Sequence, residues 1–223
     1  MRESLPLYPF LHKLRLRLEA DGPRAAARHV ATRLRASIHE QDRHHVLVKD
    51  LDEIAVPLRH GAVAVEPLER RHLPALARLN RQRDDLTGDR RFAGDLAEGH
   101  RGFVALKEGE PIGFYWWIDR NVPPHREFGT VALGVRLGEG DVYGTDFYVD
   151  AEQRAGGTAT DFLYQVERGL RELGFDRLWG TVDVTNRSAR WTYGARGYRE
   201  QWAVVGTRRL RRWSYRVEPL NAP

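Results

Sequence analysis

The 223-residue chain contains no cysteine. That excludes disulfide frameworks, cysteine nucleophiles and thiolate-bound metals. No apolar run approaches the roughly 18 residues that a membrane span requires; the densest stretch, Phe114-Tyr115-Trp116-Trp117-Ile118, reads as a buried strand. The opening residues Met1-Arg2-Glu3 lead into no continuous hydrophobic segment with a small-residue cleavage site, so a secretory leader is not expected and a cytoplasmic location is. Lysine is nearly missing: of 36 basic residues only Lys13, Lys49 and Lys107 are lysines, and 33 are arginines. Against 31 acidic residues this leaves a net charge of +5. Arginine grips planar anions and phosphates better than lysine does, which fits a phosphorylated cofactor or an anionic surface, and a lineage-wide coding bias explains the excess equally well. No helix-turn-helix, zinc finger or stacking-aromatic motif accompanies the basic balance, so nucleic acid is not an expected partner. The histidines at 44, 45, 60, 72, 100 and 125 lack metal-ligand spacing, and no metal site is expected. What is present, 41% hydrophobic residues and six Trp, suffices for a packed core.

Three regions differ in pattern. Residues 1–43 carry Leu7, Leu11, Leu14 and Leu18 on one helical face, a Gly22-Pro23 break, and then Ala27, Val30, Leu34 and Ile38 on the face of a second helix studded with arginines. This predicts a basic helical arm, which either packs on the main domain or makes a peripheral membrane or protein contact. Residues 44–60 combine a short β-run, Val46-Leu47-Val48, with a linker. Residues 61–223 form the main domain: a strand at Ala62 to Val65, a helix over Leu73 to Leu79, a second over Arg91 to Gly99, a hairpin of Phe103 to Leu106 and Ile112 to Ile118, and a short strand from Val131 to Leu137. No internal repeat is evident.

The chemistry concentrates after Asp141. A β-run from Val142 to Val149, interrupted by Gly144, leads through Asp150 into Arg154-Ala155-Gly156-Gly157-Thr158-Ala159 and then a helix with Phe162, Leu163, Val166, Leu170 and Leu173 on one face, ended by Gly174. A glycine inside a strand marks a bulge or a close backbone approach to a ligand. A strand that turns through glycines into a helix leaves unpaired N–H groups at the positive end of the helix dipole, where phosphate oxygens bind. The spacing is neither G-x-G-x-x-G nor that of a P-loop, which disfavours the usual dinucleotide and nucleotide-triphosphate readings.

Arg154-x-x-Gly157-x-Ala159 resembles the R/Q-x-x-G-x-G/A diphosphate loop of the GNAT superfamily of acyl-CoA-dependent N-acyltransferases. Downstream, Asn186, Ala189, Tyr193, Gly197 and Tyr198 resemble the same family's N-x-x-A-x-x-x-Y-x-x-x-G-F/Y ending, in the right order. Two departures are Ala159, where many relatives have glycine, and Gly156 in place of a common basic residue. The chain is also similar, less closely, to acyltransferases found among polysaccharide-biosynthesis genes. The resemblance implies an α+β fold (α/β/α-like): a GNAT-type mixed, mostly antiparallel central sheet flanked by helices, here with the N-terminal helical appendage.

It further implies a cosubstrate, acetyl-CoA or another acyl-CoA, and a small-molecule amine acceptor, with direct transfer because no cysteine is available for an acyl-enzyme. Backbone groups of Phe147, Tyr148 and Val149 would hold the pantetheine arm, residues 154 to 159 (Arg154, Ala155, Gly156, Gly157, Thr158, Ala159) the diphosphate, and Asn186 and Ser188 would add cofactor contacts. Asn186 or Ser188 serves equally as an ordinary helix N-cap. Tyr193 is the expected hydrogen-bond partner of the sulfur: a phenol's pKa of about 10 exceeds a thiol's by roughly 1.5 units, so full donation costs about 2 kcal/mol. Asp146 is the acidic candidate beside the thioester. An aspartate's ordinary pKa of about 3.9 lies far below that of an alkyl ammonium, so binding the ammonium or acting through water suits it better than direct deprotonation. Tyr115 and Trp117 share one strand face and form either core or an aromatic wall for the acceptor. The rival reading is a non-catalytic acyl-CoA-binding or interaction module that docks through its arm.

Overall fold

The computed structural model describes residues 39–57, 61, 63–82, 88–121, 130–209 and 212–220. The two helices expected before residue 39 lie outside this range. The chain divides into a smaller compact unit, Met1–Asp42 with Gly206–Ser214, and a larger one, Arg43–Val205 with Tyr215–Pro223. The described residues of the smaller unit are all in strand. The larger unit holds every described helix and the candidate site, and three strands run on into the smaller one.

Eight strands form one sheet: β1 (His39–Asp50), β2 (Ala64–Pro67), β3 (Arg101–Lys107), β4 (Glu110–Ile118), β5 (Asp141–Val149), β6 (Arg177–Asp183), β7 (Arg199–Arg209) and β8 (Arg212–Glu218), in the order β2-β3-β4-β5-β6-β1-β7-β8. The fold is α+β. Pairing is antiparallel at β2–β3, β3–β4, β4–β5 and β1–β6, and parallel at β5–β6. Among the described residues four helices accompany the sheet: α1 (Leu73–Gln82), α2 (Gly88–Ala97), α3 (Thr158–Glu172) and α4 (Arg187–Ala195). Among the described residues no helix is long and apolar enough to cross a membrane.

The aromatic run in β4 is continuous because both of its faces are covered, as expected of a strand in the middle of a layered fold. Tyr115 and Trp117 join Phe162, Leu163, Val166 and Leu170 of α3 in one cluster. Phe114 and Trp116 point the other way, against Leu76 and Leu79 of α1 and Phe92 of α2. There Phe92 stacks on Trp116 at 5.3 Å and meets Phe114 edge-on at 5.1 Å. Such pairs add about 0.5–1.5 kcal/mol each beyond the area they bury.

Three expectations need correcting. Residues 39–43 belong to β1 rather than to a helical arm; their polar composition gives no apolar helical face and extends the β-run at Val46-Leu47-Val48. Val131 to Leu137 is not a strand. Turn bonds run from Leu133 and Val135 N–H to the Thr130 carbonyl, with Gly134 at φ +76°, and Leu133 and Val135 plug a third apolar cluster from an irregular segment. Leu173 stands 58% exposed at the end of α3 instead of lying on its buried face, since the helix closes there into Gly174 at φ +92°.

Candidate active site

The middle of the sheet is only partly closed. β5 and β6 run parallel and pair at Asp141–Arg177, Val142–Leu178 and Tyr143–Trp179, and among the described residues no register pair joins them beyond that. β5 stays paired to β4 as far as Val149, and β6 to β1 as far as Asp183, so the two strands part like the arms of a V. Their facing edges carry backbone donors and acceptors with no strand partner. The gap opens into a cavity of about 170 Å³ bordered by Tyr115, Thr145, Phe147, Thr181, Asn186 and Tyr193, among others.

A bulge lies at the same place. Trp116 opposes Asp146 and Trp117 opposes Gly144, leaving Thr145 as the extra residue. Opposed residues share a face, so the bulge puts Asp146 on the α1–α2 side while Phe147, opposite Tyr115, faces α3. Gly144 is glycine because a Cβ there would sit 2.0 Å from the Tyr115 hydroxyl. The close approach is therefore to a side chain.

Beyond Val149 the chain makes two single 3-10 turns, Ala151–Gln153 and Ala155–Gly157, and enters α3. Gly156 (φ +73°) and Gly157 (φ +91°) occupy the left-handed region, and Gly157, the N-cap of α3, has no side chain with which to cap the helix. Thr158 Oγ1 donates to the Ala155 carbonyl (3.0 Å) and Thr160 Oγ1 to that of Gly157 (2.6 Å), so the hydroxyls brace the turn's carbonyls and leave its amides. Arg154 folds back: Nε donates to the Val149 carbonyl (2.8 Å) and the guanidinium lies 5.1 Å from the Tyr148 ring centre. It buttresses the junction between strand and turn.

A family model described as "Acetyltransferase (GNAT) family" matches residues 65–198, more than half of the chain. The chain belongs to this family. Among solved structures, a conserved protein of unknown function from Staphylococcus epidermidis aligns at 13% identity with TM-score 0.55, over 78% of this chain and 64% of that one. A GCN5-related N-acetyltransferase from Sphaerobacter thermophilus aligns at 15% identity with TM-score 0.50, over 86% of this chain and 58% of that one. A glucosamine N-acetyltransferase region of a fungal multi-domain β-N-acetylglucosaminidase aligns at 14% identity with TM-score 0.55, over 82% of this chain and 22% of that one. The chain thus spans less than two thirds of the length of each, and the likeness concerns the fold. No curated protein matches the sequence.

Within this GNAT fold the expected residues separate into groups. Tyr193, Asp146, Phe147, Asn186 and Tyr115 all border the gap. The Tyr193 ring contacts Phe147 (6.3 Å between centres) and meets Tyr198 edge-on (4.9 Å). Burial, reinforced by Tyr143, Asp146 and Glu167, pushes the Tyr193 hydroxyl well above the ordinary phenol range, so it stays a donor. Burial does the same to Tyr115. The side chains of Tyr148 and Val149 are core, leaving only their main chain toward β6. Asn186 is the N-cap of α4, accepting from Ala189 N–H at 3.0 Å. Ser188 is exposed and outside the cavity lining, where Ala189 stands instead. Trp117 packs edge-on against Phe175 (5.2 Å) and borders a different cavity, of about 640 Å³.

Two residues were missed by sequence reasoning. Arg91 of α2 reaches the Asp146 carboxylate at 2.7 Å. No local spacing connects them, for they lie 55 positions apart. Nearby Asp95 is raised above the ordinary carboxylate range by burial, against the pull of His100 and Arg91. Trp191 of α4 is 70% exposed and, with Val56 (61% exposed), Gly156, Gly157 and Thr160, lines a groove of about 520 Å³ that starts at the glycine turn. Helical period offered a signal here: two positions from inward-facing Tyr193, residue 191 must face out.

Proposed function

We propose that this chain transfers an acyl group, acetyl in the simplest case, from coenzyme A directly to a primary amine of a small molecule or sugar. The observation that carries the reading is the parting of β5 and β6 beyond Tyr143–Trp179, ending at the glycine turn. Pantetheine is an extended chain with two amide groups and suits the place of a missing strand between those edges. The N–H groups of Gly156, Gly157, Thr158 and Ala159 then meet the diphosphate at the start of α3. From the turn the adenosine end follows the groove to Trp191, whose exposed indole offers a stacking surface.

In this reading the thioester lies beside Tyr193. The amine enters from the side of Asp146 and Arg91, opposite the cofactor, and its nitrogen lone pair forms the new C–N bond. The C–S bond breaks and its electron pair leaves on sulfur, which the Tyr193 hydroxyl hydrogen-bonds. The proton lost by nitrogen passes through water at Asp146 to solvent, and the departing sulfur takes up a proton from solvent in turn. The raised Tyr193 hydroxyl supports a shared hydrogen bond to sulfur in preference to complete transfer.

Calorimetry with acetyl-CoA, followed by CoA release across amino sugars, amino acids, polyamines and a peptide amine, tests this. Micromolar binding and turnover with at least one amine are expected. Absence of binding overturns the reading, and binding with no turnover across the panel favours a non-catalytic acyl-CoA-binding module.

A further inference from the structure

Behind the tyrosines three charged side chains are buried together. Glu167 of α3 is fully buried, Lys49 of β1 is 2% exposed and Arg196, at the end of α4, 4%. Lys49 Nζ lies 3.0 Å from Glu167 Oε2. The Arg196 guanidinium grips the same carboxylate through Nη2, with Nε 3.4 Å from Oε1, and its Nη1 donates to the Ala55 carbonyl at 2.6 Å. Lys49 Nζ also donates to the Arg196 carbonyl, across 147 positions of sequence.

Two cations sharing one carboxylate is a poor way to gain stability, since apolar side chains of equal volume generally do as well. What the arrangement does is geometric. Arg196 N–H and Tyr198 N–H both donate to the Tyr193 carbonyl, at 3.0 and 3.1 Å. The Lys49 ammonium lies 5.7 Å from the centre of the Tyr198 ring, and that ring's face or edge is what Tyr193 packs on. The Tyr198 hydroxyl has no hydrogen-bond partner among the described residues, so the ring is held by its neighbours alone. Lys49 and Glu167 both bind Arg196, in the segment one turn past Tyr193.

We infer that Lys49 and Glu167, acting through Arg196 and Tyr198, are positioning residues that aim the Tyr193 hydroxyl at the sulfur of the bound cofactor. The inference rests on the acyl-CoA reading above and adds Lys49 and Glu167, which lie outside both of the family motifs. The titratable groups that act on Tyr193 electrostatically are Tyr143 and Asp146 from β5, Glu167 from α3 and, by mutual effect, Tyr115 from β4 and Tyr198, whose ring it contacts. Burial lowers the Lys49 ammonium below its ordinary range while Glu167 opposes this, consistent with a cation held by that one carboxylate.

The test uses the full chain with free CoA and reads the acidity of the bound thiol from its thiolate absorbance across pH. Tyr193→Phe should raise the bound thiol's pKa by about one unit, the loss of one hydrogen bond to a charged sulfur. Lys49→Met leaves one carboxylate with one guanidinium and is the variant best able to fold; it should raise the thiol's pKa in the same direction. The double variant should match Tyr193→Phe alone, as residues acting through one another do. Glu167→Gln, if it folds, should behave likewise. A Lys49→Met protein whose bound thiol titrates as in the native protein, or whose effect adds in full to that of Tyr193→Phe, overturns the inference. A silent Tyr193→Phe instead overturns the role given to Tyr193, and no CoA binding by the native chain overturns the site itself.

Discussion

Removing the indole of Trp191 separates the two ends of the proposed cofactor site. The side chain is 70% exposed, so Trp191→Ala opens no cavity and should change stability by no more than about 0.5 kcal/mol. Stacking of a base on an aromatic side chain is worth about 1–3 kcal/mol by alanine substitution. The Kd for CoA should therefore rise about 5- to 150-fold, while Trp191→Phe keeps most of the affinity. 4′-Phosphopantetheine lacks the adenylate portion and should bind native and variant proteins equally. Titration calorimetry with both ligands in one buffer reads the difference. If CoA binds the alanine variant as tightly as the native protein, or both ligands weaken by the same factor, the adenosine does not lie on Trp191 and the groove has another use.

Other perturbations probe the gap and its walls. Tyr193→Phe should lower kcat about 10- to 100-fold, the worth of a hydrogen bond to a charged group, with KM for acetyl-CoA within twofold; steady-state kinetics with any active amine decides this. Gly144→Ala places a methyl group 2.0 Å from the Tyr115 hydroxyl and 2.7 Å from its ring carbon, and should cost about 1–3 kcal/mol in urea unfolding. Tyr143 is pushed up to about 12 by burial, against a weaker opposing effect of its hydrogen bond to Thr181. The native state thus keeps a proton that the unfolded chain loses near pH 10, and the associated stability is whole below pH 10 and falls as pH rises toward 12. Tyr143→Phe should flatten that fall by up to about 1.4 kcal/mol per pH unit, measurable by denaturation at pH 9, 10 and 11. Asp161 is fully buried and accepts from Gly61 and Val63 N–H, both at 3.3 Å, so Asp161→Ala should destabilise by about 1–3 kcal/mol.

Legibility in the sequence followed the range of the interactions. The β3–β4 hairpin, the glycine turn and the buried stripe Phe162, Leu163, Val166 and Leu170 are local patterns and were readable as such. Tyr193 and Asp146 were placed together from motif order and strand position, with Tyr115 and Trp117 left as core or acceptor wall; Tyr193, Asp146 and Tyr115 border one gap and Trp117 a different cavity. What escaped depends on contacts far apart in the chain. β1 joins the sheet between elements from the far end of the sequence, and Arg91 meets Asp146 only because α2 crosses that face. Lys49, Glu167 and Arg196 lie far apart in the chain and carry no local pattern that joins them. The Thr145 bulge left no signature beyond Gly144, and it decides which side Asp146 faces. Val131 to Leu137 misled for the opposite reason: its apolar residues are buried as a strand's would be, but through a turn.

Three paired positions hold β5 to β6, where either strand's other neighbour holds it along most of its length. A sheet left unzipped at its centre is softest along its own midline, and an elongated guest that bonds to both lips would act as a stitch. Occupancy should then be felt as stiffness: amides lining the two lips should exchange their hydrogens freely in the empty protein and slowly once the slit is filled.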